Sequence, residues 1–366
     1  MNQKPKLVLA HDSFTQFGGG ERVLKALHEL YPDSPIYTLA SNSKVSAHLG
    51  QARVINSWLQ KFYDLFPHLQ FWFVLVPIVL KSFRIEKADV ILSSSSAYMK
   101  GLRKPEGSIH INYCHTPTRF LWSDVVYAEG EVMPLLRPLM RLYFAWLRRW
   151  DIAAAKRVDY FIANSTEVQK RIKQYYQRDS ELIYPFVDTA FWKATQPKQD
   201  YYLIAGRITP YKGYEKIIEI FNELRLPLHV IGEGRYQDYL KSIAKPNVSF
   251  YGKVSDEALR DQYSGALAFI YPQVEDFGLM PLEAASCGTP TIALASGGSL
   301  ETVLPGKTGE LLTEFNFKNL QAAISHVEEQ IYDAQIMRNH AERFNKQQFM
   351  NQIEALIKKL TNAHYS

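Results

Sequence analysis

Short apolar runs alternate with stretches of helical spacing along this chain, and the pattern occurs twice. In the first half the runs cover residues 6–10, 36–39, 90–92, 109–114 and 160–163. In the second they cover 202–205, 228–231, 248–251, 267–271 and 291–294. Most are solidly apolar, as strands buried on both faces of a parallel sheet must be. The stretches between them, such as 213–224 and 256–263, carry apolar residues at helical intervals. Such alternation predicts an α/β fold with helices on both faces of each sheet. At 366 residues the chain exceeds one ordinary core and suits two. The break falls between Tyr184-Pro185 and Asp200, where prolines and polar residues gather. The expected domains are 1–184 and 185–346. A last helix, within 347–366, follows a non-helical hinge near Phe344-Asn345-Lys346 and is free to pack on either.

Composition narrows the class. Apolar content of 46% and charged content of 22% are those of a globular protein. A formal charge of +5 favours anionic partners such as nucleotide phosphates or an acidic membrane surface. The Lys/Arg residues form no compact block, so nucleic acid is not an expected partner. Cys114 and Cys287 stand far apart, which fits free thiols in a reducing, cytoplasmic setting. The N-terminus runs into its first strand with no apolar leader. The most apolar stretch, 71–80, is half the roughly 20 residues needed to span a bilayer.

The strongest chemical signal is Glu275-Asp276-Phe277-Gly278-Leu279-Met280-Pro281-Leu282-Glu283. It follows the apolar run ending at Tyr271 and precedes a helix-like stretch. A strand, a glycine turn and a helix start aim several backbone N–H groups at one anion. Glu275 and Glu283 flank that point and can accept sugar hydroxyls. A diphosphate with a sugar at each end, as in a sugar nucleotide, suits this arrangement. The second signal is Gly206-Arg207-Ile208-Thr209-Pro210-Tyr211-Lys212-Gly213, at the carboxyl end of another predicted strand. Arg207 and Lys212 can converge on a diphosphate there; the same segment also reads as a solvated loop with ordinary basic residues.

Gly18-Gly19-Gly20-Glu21 opens a helix after the first strand. It departs from the dinucleotide fingerprint because Val23 stands at the third glycine position. Gly232-Glu233-Gly234 and Gly297-Gly298 read as tight turns. His115, at the tip of the 109–114 strand beside Arg119, is either a ligand contact or a loop cap. Two stretches could meet a membrane, 65–80 and 134–150. In the second, Arg137, Arg141 and Arg148 share one helical face amid Trp, Phe and Leu; a helix packed on its own sheet with snorkelling arginines reads equally well. Asp-x-Asp, Walker A, HExxH and GxSxG are absent, which argues against a carboxylate-anchored metal, an ATPase, a zincin or an α/β-hydrolase.

Together these motifs resemble glycosyltransferase family 4, the retaining GT-B enzymes that use sugar nucleotides. Tyr113-Cys114-His115-Thr116-Pro117 and Phe161-Ile162-Ala163-Asn164-Ser165 look like a mannosyltransferase-type subgroup of cell-surface polysaccharide assembly. The resemblance implies two Rossmann-like domains facing across a cleft, the first binding acceptor and the second donor, with the 347–366 helix crossing back to the first. It implies that Glu275 holds donor-sugar hydroxyls with the Phe277, Gly278 and Leu279 backbone, and that Glu283 holds the ribose. Gly206, Arg207 and Lys212 would take the diphosphate, with Val254 beside the base. His115 would contact the donor sugar, and Gly19 and Gly20 the phosphates or acceptor. Glu275, His115, Arg207 and Lys212 are the expected catalytic set, with no metal and no cofactor beyond the nucleotide-sugar co-substrate.

The expected activity is retaining transfer of a hexose, mannose from GDP-mannose, to a glycan or lipid-linked acceptor. It would take place at the inner face of the cytoplasmic membrane. A UDP-sugar donor, a sugar-nucleotide epimerase of the same fold and a catalytically silent binding subunit remain open as alternatives.

Overall fold

The computed structural model describes residues 5–66, 74–130 and 133–365. Part of the 65–80 stretch therefore lies outside the described residues. The chain divides into two units, Met1–Tyr184 with Met350–Ser366, and Pro185–Phe349.

The first unit is built on a seven-stranded sheet. Its strands are β1 (Leu7–His11), β2 (Ile36–Thr38), β3 (Val54–Asn56), β4 (Val90–Ser95), β5 (Ile109–Cys114), β6 (Tyr160–Ala163) and β7 (Ser180–Leu182). Every pair is parallel, in the order β3-β2-β1-β4-β5-β6-β7. The second unit carries β8 (Tyr202–Ala205), β9 (Leu228–Ile231), β10 (Val248–Gly252), β11 (Phe269–Tyr271), β12 (Thr291–Leu294) and β13 (Gly309–Leu312). These too are all parallel, in the order β10-β9-β8-β11-β12-β13.

The apolar runs explain the layers. β1, β4, β5 and β8 are buried along their whole length, as strands covered on both faces must be. One core of the second unit joins Tyr202, Ile204, Ile217, Phe221, Val230 and Ile270 beneath the helices Tyr214–Leu224 and Phe317–Glu329. In the first unit, Val8, Ile91, Val79, Met99, Phe144 and Leu147 form the corresponding layer. The helix Arg137–Arg157 contributes to it through one face only.

Strand order fixes where chemistry can collect. In each sheet the chain winds outward one way and then the other. The direction reverses between β1 and β4 in the first unit and between β8 and β11 in the second. Loops leaving the carboxyl ends of those two strands diverge and leave a crevice, the usual ligand position in open α/β sheets. The loop after β8 carries Gly206 to Lys212, and the loop after β11 carries Glu275 to Gly278. Two motifs far apart in sequence thus become neighbours.

Candidate functional site

In the second unit, Lys212 is buried and its Nζ stands 2.9 Å from Glu275 Oε1. Lys212 ends the short helical turn Pro210–Lys212, and Gly213 leads into the helix Tyr214–Leu224. Arg207 is exposed on the same loop. The sequence reading lets both cations converge on a diphosphate; in the structure Lys212 pairs with Glu275 and Arg207 is exposed on the same loop.

The loop from Glu275 turns at Gly278, whose φ of 84° lies in the left-handed region that a side chain disfavours. Gly278 is the N-cap of the helix Leu279–Ser286 and brings no capping side chain of its own. The first-turn N–H groups of a helix have no internal partner, so an anion placed there gains hydrogen bonds and the favourable end of the helix dipole. Glu283 lies one turn inside this helix and is partly buried. Phe277 is buried against Phe344, at 5.6 Å between ring centroids.

Gly297 and Gly298 prove to be the floor of this loop. A Cβ on Gly298 would lie 1.9 Å from Phe277 O, and Gly298 N donates to Glu275 O at 2.9 Å. Only hydrogen fits, so this pair fixes the backbone that carries Glu275. Val254 is half-buried, just before Ser255 caps the helix Asp256–Gly265.

Three tyrosines lie near Glu275 or Glu283. Burial, and then the charge of Glu275, push the Tyr214 and Tyr271 phenols upward, so both remain neutral. The Tyr263 phenol is raised by burial and then by Glu283. The Tyr214 hydroxyl is buried with no hydrogen-bond partner among the described residues, and a Cβ on Gly206 would come within 3.3 Å of it.

The first unit gathers a different set at its own switch point. Gly19 and Gly20 begin the helix Gly19–Leu30, whose Glu21 accepts from Gly18 N at 2.9 Å. Gly20 lies against His115 and His11, since its missing Cβ would stand 3.5 Å from His115 Nε2 and 3.6 Å from His11 Cε1. His115 Nε2 is 2.7 Å from Ser94 Oγ. His11 lies 3.6 Å from Glu21. Burial, reinforced by His11, pushes the His115 imidazole down to about 4. It is neutral at ordinary pH.

Asp12 closes the neighbouring loop. Its carboxylate accepts from the backbone N–H groups of Ser96, Ala97, Tyr98 and Met99 at 2.7–2.8 Å. His11, Asp12 and Ser94 escaped the sequence reading. The available signal was polar residues at the tips of β1 and β4, beside the reversal of strand order.

The helix Arg137–Arg157 also refines its expectation. Arg148 Nε donates to Leu121 O at 2.6 Å, with its guanidinium 6.0 Å from the centre of the Trp122 ring, so it faces the protein. Arg141 pairs with Glu129. The outward stripe carries Leu135, Leu139 and Leu142, exposed by 86%, 67% and 71%, together with Trp146 and Arg149. Among the described residues no helix is long and apolar enough to cross a membrane.

Comparison with known proteins gives two family matches. Residues 187–348 match the profile of Glycosyl transferases group 1, and residues 17–191 that of Glycosyltransferase Family 4. The O-antigen chain mannosyltransferase RfbU of Salmonella typhimurium is 27% identical over 44% of this chain and 49% of its own length. A GDP-mannose-dependent phosphatidylinositol monomannoside mannosyltransferase of Mycolicibacterium smegmatis is 34% identical over 29% of this chain and 33% of its own. The chain thus spans half or less of these relatives. Among solved structures, Anabaena HepE with UDP-glucose is similar at a TM-score of 0.71 and 19% identity, over 97% of this chain and all of that one. Sucrose-phosphate synthase of Thermosynechococcus elongatus is similar at 0.73 and 18%, over 98% and 100%. At these identities the likeness speaks for the fold.

Proposed function

The chain belongs to the GT-B, family-4-like glycosyltransferases, and from that premise we propose that it transfers a hexose from a sugar nucleotide to a glycan or lipid-linked acceptor in cell-surface polysaccharide assembly. The donor in this reading is GDP-mannose, supported by the GDP-mannose dependence of the Mycolicibacterium smegmatis relative and the mannosyltransferase activity of the Salmonella one. One observation carries the site assignment. A buried lysine and a carboxylate stand 2.9 Å apart in the loops at a strand-order reversal, and the second loop leads through Gly278 into a helix start.

The chemistry follows from that arrangement. The anomeric C–O bond of the donor breaks, and its electron pair leaves on the diphosphate. Charge grows there as the bond lengthens, and Lys212, Arg207 and the helix N–H groups bind the growing charge more strongly than the ground state. The acceptor hydroxyl attacks from the face the leaving group vacates, its oxygen forms the new bond, and its proton passes to a phosphate oxygen. The configuration is retained. Glu275 orients the sugar, Glu283 the ribose, and no metal is required. The first unit would bind acceptor. Its outward Leu135, Leu139, Leu142 and Trp146 stripe, with Arg149, suits contact with an anionic lipid surface.

A thermal-shift panel of GDP-, UDP- and ADP-sugars, followed by transfer to lipid-linked saccharides, tests the reading. A ligand at 100 times its Kd stabilises by about 2.7 kcal/mol. The expected result is a shift with GDP-mannose and a mannosylated product of retained configuration. A shift only with UDP-sugars would replace the donor, and no shift with any sugar nucleotide would remove the reading.

A further inference from the structure

Ser94, on β4, is fully buried, and its two oxygens meet two imidazoles. Its backbone carbonyl lies 2.9 Å from His11 Nδ1. A carbonyl can only accept, so His11 carries a proton on Nδ1 and donates it. The same nitrogen is 3.2 Å from Ser94 Oγ and, already protonated, cannot take the hydroxyl's proton. One acceptor then remains within reach among the described residues, His115 Nε2 at 2.7 Å. A buried hydroxyl proton left without a partner is unfavourable, so the Ser94 O–H points at that nitrogen.

We propose that Ser94 is a positioning residue for His115: by donating to Nε2 it holds the ring in the tautomer protonated on Nδ1, so that His115 presents an uncharged N–H donor. The surroundings agree. The first turn of the helix Gly19–Leu30 lies over the Nε2 edge at Gly20. Tyr113 meets the ring edge-to-face at 5.2 Å and restrains its plane. The charged or titratable groups around it are His11 at the end of β1, Asp12 just after it, Glu21 on the helix and Tyr113, whose phenol burial keeps neutral. Burial outweighs the two carboxylates and keeps the ring neutral. Glu21, tied to Gly18 N, lies 3.6 Å from His11 Nε2, beyond that ring from Ser94. The order is carboxylate, imidazole, hydroxyl, imidazole.

The use of this donor toward a donor-sugar hydroxyl rests on the function proposed above, whereas the tautomer does not. Long-range proton–nitrogen NMR of the full chain, labelled at its ten histidines, reads the tautomer without substrate, and His115→Gln assigns the signal. The expected wild-type signal shows a protonated Nδ1 and a bare Nε2, unchanged between pH 8 and 5. Ser94→Ala should move proton population to Nε2, and Ser94→Thr, which keeps the hydroxyl, should restore the wild-type pattern. With substrate, Ser94→Ala should raise donor KM roughly tenfold, the loss of about one hydrogen bond. A wild-type ring protonated on Nε2, or a Ser94→Ala spectrum identical to wild type, would overturn the assignment. If Ser94→Ala does not fold, the wild-type signal alone decides. A shifted tautomer with unaltered KM would uphold the positioning and remove His115 from the donor site.

Discussion

Lys212 Nζ and Glu275 Oε1 form an ion pair at 2.9 Å that ties the loop after β8 to the loop after β11. The lysine is nearly buried and the glutamate partly so, which makes the pair both a structural link and a poised charge. A diphosphate arriving at the helix start would compete with Glu275 for the ammonium and free that carboxylate for sugar hydroxyls. Lys212→Met should therefore act twice. It should lower turnover on the order of 100-fold or more, as removal of one transition-state donor does. It should also cost roughly 1–3 kcal/mol of stability, because the ion pair between the two loops is lost. Urea unfolding of Lys212→Met, Glu275→Gln and the double variant should show a coupling above about 0.5 kcal/mol. Additive effects would mean that the pair is idle.

Tyr214 gives a prediction of opposite sign. Its hydroxyl is buried without a partner among the described residues, so Tyr214→Phe removes an unsatisfied group and leaves the ring packing. Stability should stay within about 1 kcal/mol of wild type or rise. A larger loss in denaturant unfolding would reveal a partner for that hydroxyl.

Two buried histidines set an acid limit. Burial pushes His110 down to about 4, and His115 falls to a similar value. In the unfolded chain both titrate near 6.5. Between those values the unfolded state holds more protons, so stability rises with pH through this window. The contribution is fully present above about 6.5 and is lost as pH falls toward 4. The Tm should accordingly drop steadily from pH 7 to 4, and His110→Phe should flatten the slope. A Tm independent of pH over that range would contradict the burial of these rings.

Asp151 lies at the centre of a buried polar cluster. It pairs with Lys100 Nζ at 2.7 Å and accepts from Thr118, Trp122 and Tyr176 at 2.8–2.9 Å. Replacing Asp151 by Ala leaves the buried Lys100 ammonium without its counter-charge and takes an acceptor from Trp122 and Tyr176, for an expected loss of about 3–5 kcal/mol. The midpoint of urea unfolding measures it. A loss below about 1 kcal/mol would mean that the cluster contributes little.

The outward stripe of the helix Arg137–Arg157 is tested by changing Leu139, Leu142 and Trp146 together to Glu. Co-sedimentation with phosphatidylglycerol vesicles should fall several-fold, and wild-type binding should weaken with salt. Equal binding by both proteins would leave the stripe without a lipid role.

The layered architecture was legible because the central strands are buried on both faces and must be apolar. β3, β7 and β13 were not: Val54-Ile55-Asn56, Ser180-Glu181-Leu182 and Gly309-Glu310-Leu311-Leu312 lie at sheet edges, where one side meets solvent and polar residues are tolerated. β4 runs three residues past its apolar part because Ser93, Ser94 and Ser95 are polar by type yet buried. The glycine loops and the carboxylates of the second unit were visible as residue types after strands. Their pairing was not, since Lys212 meets Glu275 only through the adjacency of β8 and β11. The histidine cluster was half visible: His115 stood out, whereas Ser94 and His11 acquire meaning only once β1, β4 and β5 lie side by side.

The most direct test is a crystal structure of the protein with GDP-mannose. The account predicts the diphosphate within hydrogen-bond distance of Lys212 Nζ and the N–H groups at Gly278 and Leu279, with Glu275 turned to the sugar. A nucleotide seated elsewhere, with Lys212 and Glu275 still joined, would contradict it.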